Sequence, residues 1–173
     1  MNPVCFYYVE GKCEETLIKA LKEAPAYIRE GRVKVFNPIE KVLPNSELMR
    51  IPAGAMVVFA FDTDIPQTDF LLINIRNLKK YVRNVTVVLL PQVMNLEDEL
   101  KRCTDVRNVT ELTKSKSASD FKRDFCRLTN CRQVLDAHQI DVWRFWETPV
   151  PEAFCAVQGN AGIIKNRSKP ARR

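Results

Sequence analysis

The sequence predicts an α/β fold: a mostly parallel four-stranded sheet, helices on both faces and a helical C-terminal extension. Three observations lead there. Short apolar runs stand at 4–9, 33–36, 56–61 and 85–90. Helical spacing of apolar residues follows the first and third of them, so strands and helices alternate, as parallel βαβ units do. The run Val57-Val58-Phe59-Ala60-Phe61 is apolar throughout rather than alternating, which is the pattern of a strand buried on both faces.

The first strand, 4–9, ends at Glu10, and Gly11 follows where a tight turn lets backbone approach a ligand. A helix is expected from Glu14 to Ala24, with Leu17, Ile18 and Leu21 on one side. Gly31 is a stop signal, Val33 to Phe36 a short second strand, and Asn37-Pro38 a turn. Residues 39–51 are mixed: one helical turn around Ile39, Val42 and Leu43, then a second after Pro44-Asn45-Ser46. The third strand, 56–61, runs into Asp62-Thr63-Asp64. Asp69 is the expected cap of a helix over 70–81, with Leu71, Ile75 and Leu78 facing the sheet. The fourth strand, 85–90, is expected to stop at Pro91, and Asn95 to cap an acidic helix start, Glu97-Asp98-Glu99.

Beyond that point, 106–112 reads as a short extended or helical piece and 121–128 as a helix capped by Ser117 or Ser119. Asp136 to Trp146 is a further helical candidate, with Val142, Phe145 and Trp146 apolar. The expected division is a core over 1–104, a helical extension over 105–158 packed on it, and a basic, disordered tail over 159–173.

The 173 residues suffice for one domain with a substantial core. No stretch approaches the ~20 apolar residues that span a bilayer, and no signal peptide is visible, so a cytoplasmic protein with no membrane partner is expected. Six cysteines without a C-x-x-C pair, beside the single His138, offer few zinc ligands and read as reduced thiols. The net charge of +6 is uneven. Residues 1–100 hold 12 Lys and Arg against 13 Asp and Glu, net −1; residues 101–173 hold 15 against 8, net +7. An acidic first part and a basic second part suit a phosphate-rich partner, and equally a solvated basic surface.

The informative residues are acids at strand ends. In an open α/β sheet the functional crevice lies beyond the carboxyl ends of the strands. Glu10 after the first strand and Asp62 and Asp64 after the third would therefore share one crevice. Carboxylates so crowded resist ionising together, and a hard divalent cation relieves them. Of Glu14 and Glu15, only one can point toward Glu10; otherwise both simply favour a first helical turn. Glu97, and less directly Asp98, stand either at the same rim or in a solvated helix start. Lys114 and Lys116, between serines ahead of a helix, either grip phosphate or belong to a surface loop. His138 reads as a surface or packing residue, and Trp143 and Trp146 as packing residues rather than a base-stacking platform.

Glu10-Gly11-Lys12-Cys13-Glu14 after one apolar strand, and Asp62-Thr63-Asp64 after another, resemble the two motifs of the Toprim domain, over about residues 4–100. The small size and the Glu97-Asp98-Glu99 group are more similar to its OLD-type and RloB-like nuclease branch, linked to phage defence, than to topoisomerases. The resemblance implies a Rossmann-like sheet and a Mg²⁺-dependent, or Mn²⁺-dependent, nuclease acting on DNA or RNA. It implies acid–base chemistry or metal binding at Glu10, metal binding at Asp62 and Asp64, and a second metal position at Glu14 and Glu97. Lys114 and Lys116 would steady the phosphate, with Lys12 and Lys122 as further nucleic-acid contacts. A second copy of the chain or an operon-encoded protein is a further expected partner. The sequence departs from the family in having Ile65-Pro66-Gln67, without a glycine, after the second motif, and no glycine-rich turn near Asn37. A non-catalytic nucleic-acid-binding or protein-interaction module of the same fold is the alternative.

Overall fold

The structure is a computed structural model that describes residues 3–166. It is an α/β fold with a four-stranded, all-parallel sheet in the order β2-β1-β3-β4. The strands are β1 (Cys5–Val9), β2 (Arg32–Val35), β3 (Met56–Asp62) and β4 (Thr86–Gln92). The helices are α1 (Lys12–Lys22), α2 (Asn45–Leu48), α3 (Asp69–Tyr81), α4 (Leu96–Cys103), α5 (Thr110–Thr113), α6 (Ala118–Phe125) and α7 (Cys131–Ala137). Two 3₁₀ segments follow, Glu152–Val157 and Ala161–Ile163.

Strand pleating separates the core into two layers. Tyr7, Val9, Val58, Ala60, Val88 and Leu90 face α1, α4, α6 and α7, where Leu17, Ile18, Leu100, Phe121, Phe125 and Leu135 close over them. Tyr8, Val57, Phe59, Phe61 and Leu89 face the other way, against Leu71 and Leu78 of α3 and against Phe154 and Val157. α6 and α7 of the helical extension therefore share the first layer with the sheet and cover α1, while its Phe154 and Val157 pack in the second.

The chain leaves β1 toward β2 on one side and reaches β3 on the other. The sheet order thus reverses between β1 and β3, and that reversal opens a crevice at their carboxyl ends. Parallel pairing of Val9 with Ala60 and of Asp62 with Gln92 brings the ends of β1, β3 and β4 together.

Four expectations are corrected. β4 does not stop at Pro91 but continues to Gln92; it is an edge strand, where a missing N–H need face no neighbour. Thr68, not Asp69, precedes the first residue of α3. No helix runs over 136–146: α7 ends at Ala137, Gln139 takes the left-handed conformation at φ 53°, and Val142, Phe145 and Trp146 are buried in turns instead. The tail expected from Gly159 is packed as far as Asn166. Ile164 is fully buried, Lys165 bridges Ile28, and Asn160 borders β4, its Oδ1 accepting the Leu89 N–H at 2.7 Å and its own N–H donating to Leu89 O at 3.2 Å. Residues 167–173 of that expected tail lie outside the described residues. Among the described residues no helix is long and apolar enough to cross a membrane.

Candidate acidic site at the strand ends

The site begins with the switch between β1 and β3. Glu10 leaves β1 and turns its carboxylate across to β3, where Oε2 accepts the backbone N–H of Asp62 at 3.1 Å. The two motifs, 52 residues apart, therefore meet at one hydrogen bond. Burial raises the Glu10 carboxyl above the ordinary range; the Asp62 N–H pulls it back, Asp64 and Glu40 push it up, and Lys122 opposes them.

Gly11 precedes α1 and Glu14 is its third residue. Glu14 is 7% exposed. A Cβ at Gly11 would fall 3.0 Å from Glu14 Oε2, so glycine leaves room for that carboxylate to fold back over the helix start. Burial raises the Glu14 carboxyl, its own N–H and that of Gly11 lower it, and Glu10 and Glu97 raise it further. Glu15 points elsewhere: it pairs with Lys12 and Lys19, each at 2.7 Å, and both hold its carboxyl below the usual range. Of the two glutamates it is Glu14 whose carboxyl feels the charge of Glu10.

Asp62 carries the strongest field. Burial pushes its carboxyl up to about 9, and the charges of Glu10, Glu14, Asp64 and Glu97 push the same way. Its Oδ1 is buried and has no hydrogen-bond partner among the described residues. Asp64 is exposed beyond it. Thr63, between the two aspartates, is buried; its N–H donates to Gln92 O and Met94 O, both at 3.1 Å, and its Oγ1 accepts Met94 N–H at 3.0 Å. Those bonds tie the loop after β3 to the loop after β4.

α4 is capped by Asn95, whose side chain accepts Asp98 N–H at 3.0 Å. Its three acids then diverge. Glu97 turns to the site and meets Lys122 of α6 at 3.1 Å; Asp98 pairs with Lys101; Glu99 is fully buried, pairing with Arg102 and accepting Trp146 N–H at 2.6 Å. Glu99 is thus a fold element, and Glu97 alone of the three acts on Asp62 and Glu14.

The structure brings Glu10, Glu14, Asp62, Asp64 and Glu97 to one rim. It treats the lysines differently from expectation. Lys122 is the cation that meets the acids, and Glu97 raises its pKa first, with Asp62 adding to it. Lys114 is exposed at the end of α5 in the left-handed conformation, φ 56°, and Lys116 is exposed just ahead of Ser117, which caps α6. Lys12 is exposed and bound to Glu15. His138 closes α7 and bonds Asp105 at 2.9 Å, away from the rim.

Two residues were not legible as site residues. Glu40 adds its charge to Glu10 from the stretch before α2. Gln92 ends β4 as Asp62 ends β3; it is 1% exposed, and its Oε1 has no hydrogen-bond partner among the described residues. Gln92 carries a sequence signal, a polar residue closing an apolar strand, but it lies one residue beyond Pro91, where the strand is expected to stop.

Three His, Cys, Asp or Glu side chains are not drawn together at ligating distance among the described residues. The donor set nevertheless fits a hard cation: all oxygen, mutually repelling, with one buried carboxylate oxygen unpartnered. A cleft of about 500 Å³, lined by Val4, Cys5, Arg29, Gly31 and Arg32, lies at the opposite, amino end of β1 and takes no part. Comparison with family models, with curated proteins and with solved structures found no match to the chain.

Proposed function

We propose that the protein is a nuclease of Toprim type that uses Mg²⁺ or Mn²⁺ to hydrolyse phosphodiesters of DNA or RNA. The observation that carries the reading is Asp62, whose buried, unpartnered oxygen lies in the field of four other carboxylates at the crevice of the sheet. Asp62 and Asp64 would hold the cation, with Glu14 and Glu97 available to a second. Bound there, the ion would offset the crowded charge and polarise a phosphoryl oxygen. Glu10 is fixed by the Asp62 N–H and binds a proton more readily than an ordinary carboxylate, so it is suited to exchange one with the attacking or leaving oxygen. Lys122, held by one exposed ion pair to Glu97, can turn its ammonium to the phosphate and offset charge that develops there. The basic second part of the chain favours a polyanion as substrate.

The test is incubation of the purified protein with plasmid, single-stranded DNA and RNA in Mg²⁺ or Mn²⁺, with EDTA controls. Asp62→Asn and Glu10→Gln run alongside. Metal-dependent cleavage that disappears in both variants is the expected result. One observation favours a second reading, a non-catalytic binding module: Glu97 is occupied by Lys122 and Glu14 by the start of α1. Binding that survives EDTA, with no cleavage in either metal, would establish that reading and overturn the first.

A further inference from the structure

We propose that Gln92 is a ligand of the cation site, its side-chain carbonyl oxygen standing beside Asp62 Oδ1 at the ends of β4 and β3. The proposal rests on the cation-site reading above and names a residue of that site outside the two acidic motifs.

Asp62 and Gln92 are registered partners across the parallel pair. Val58 and Ala60 on β3, and Val88 and Leu90 on β4, all face the α1 layer. Side chains alternate along a strand, so residues 62 and 92 face the same layer, toward Glu14 and Glu97. Neighbouring strands lie about 4.8 Å apart, which sets the two side chains next to each other.

Both carry a buried oxygen with no hydrogen-bond partner among the described residues: Oδ1 of Asp62 and Oε1 of Gln92. With Asp62 ionised, the state a cation binds, both oxygens are acceptors and cannot satisfy one another, and a buried acceptor without a donor is a rare feature that calls for a cause. The backbone on either side is tied in place: Thr63 N–H donates to Gln92 O and Met94 O, and Met94 N–H donates to Thr63 Oγ1. A cation answers both oxygens at once. An amide supplies a donor oxygen without adding negative charge to the five carboxylates already at the rim. An oxygen-only set that includes a neutral carbonyl suits Mg²⁺, Mn²⁺ or Ca²⁺, and disfavours metals that prefer sulfur and imidazole.

The test measures Mn²⁺ binding to the full chain by calorimetry and by the paramagnetic resonance of free Mn²⁺, without substrate. Wild type, Gln92→Leu and Asp62→Asn are compared, together with the melting temperature of each in EDTA. The expected result is Mn²⁺ affinity weakened about tenfold or more in Gln92→Leu, with a metal-free melting temperature equal to or above wild type. Unchanged Mn²⁺ affinity in Gln92→Leu, where Asp62→Asn has lost it, removes Gln92 from the site and leaves the cation reading standing. A metal-free melting temperature that drops by more than about 5 °C, with affinity intact, makes Gln92 a structural partner of Asp62 and overturns the proposal. Wild type that fails to bind Mn²⁺ overturns both.

Discussion

Lys122 and Glu97 face each other across the gap between α6 and α4, Nζ to Oε1 at 3.1 Å. The pair joins the helical extension to the acidic rim by a contact that water reaches, since the lysine side chain is 69% exposed. Exposed pairs of this kind contribute little to stability. Lys122→Met is therefore expected to leave the melting temperature within about 2 °C of wild type. It should lower metal-dependent cleavage about a hundredfold, the usual loss when one charge-stabilising donor is removed. Rates on a single-stranded substrate, measured beside thermal melts, check both halves.

The Asp62 carboxyl sets a pH dependence. In the unfolded chain it ionises near pH 4; in the folded chain burial and neighbouring carboxylates raise it to about 9. Between those values the folded chain keeps a proton that the unfolded chain has released. Fewer protons on the unfolded side mean that stability falls as pH rises. The contribution is complete below about pH 4 and gone by about pH 9. Thermal melts in EDTA across that range are expected to show a falling melting temperature, and Asp62→Asn a shallower fall.

Glu14 and Glu15 are adjacent and should behave oppositely. Glu15→Gln loses the pairs with Lys12 and Lys19 and is expected to destabilise by about 0.5–1 kcal/mol, with metal binding unchanged. Glu14→Gln keeps an oxygen for the helix start and removes one repelling charge. It should match or exceed the wild-type melting temperature in EDTA while weakening Mn²⁺ binding. Urea unfolding and calorimetry of the two variants make the comparison.

Asn160 acts as a one-residue border on the open edge of β4. Its side chain accepts Leu89 N–H at 2.7 Å and donates to Val87 O at 3.3 Å. Asn160→Ala leaves Leu89 N–H without a protein partner, a loss of about 1–3 kcal/mol in urea unfolding. Removing residues 159–173 should cost more, because Ile164 leaves the first core layer with it.

The fold was legible because its signals are local. Uninterrupted apolar runs marked β1 and β3, and helical spacing marked α1 and α3. Glu10 and Asp62 were legible as site residues because each ends such a run. What failed was read from single residues. Pro91 stops a central strand but not an edge strand, and the edge position of β4 belongs to the sheet order. Gly159 and the basic residues after it suggest a loose tail, yet Ile164 and Asn160 find partners more than 70 residues away on β4 and in the core. Lys122 was expected as a nucleic-acid contact, but its meeting with Glu97 depends on α6 lying over α4 and has no local signal, whereas Lys114 and Lys116 drew notice through local context alone.

The bonds that lock Thr63 to Gln92 and Met94 make the base of the crevice a stiff piece, with little freedom to adapt to what enters it. Accommodation then falls to the opposite wall, where α6 reaches the rim through Lys122 and the short corner from Lys114 to Ser117 connects it to α5. On the proposed nuclease reading, Lys114 and Lys116, set apart from the carboxylates, would act on which polymer binds and not on how fast its bond breaks.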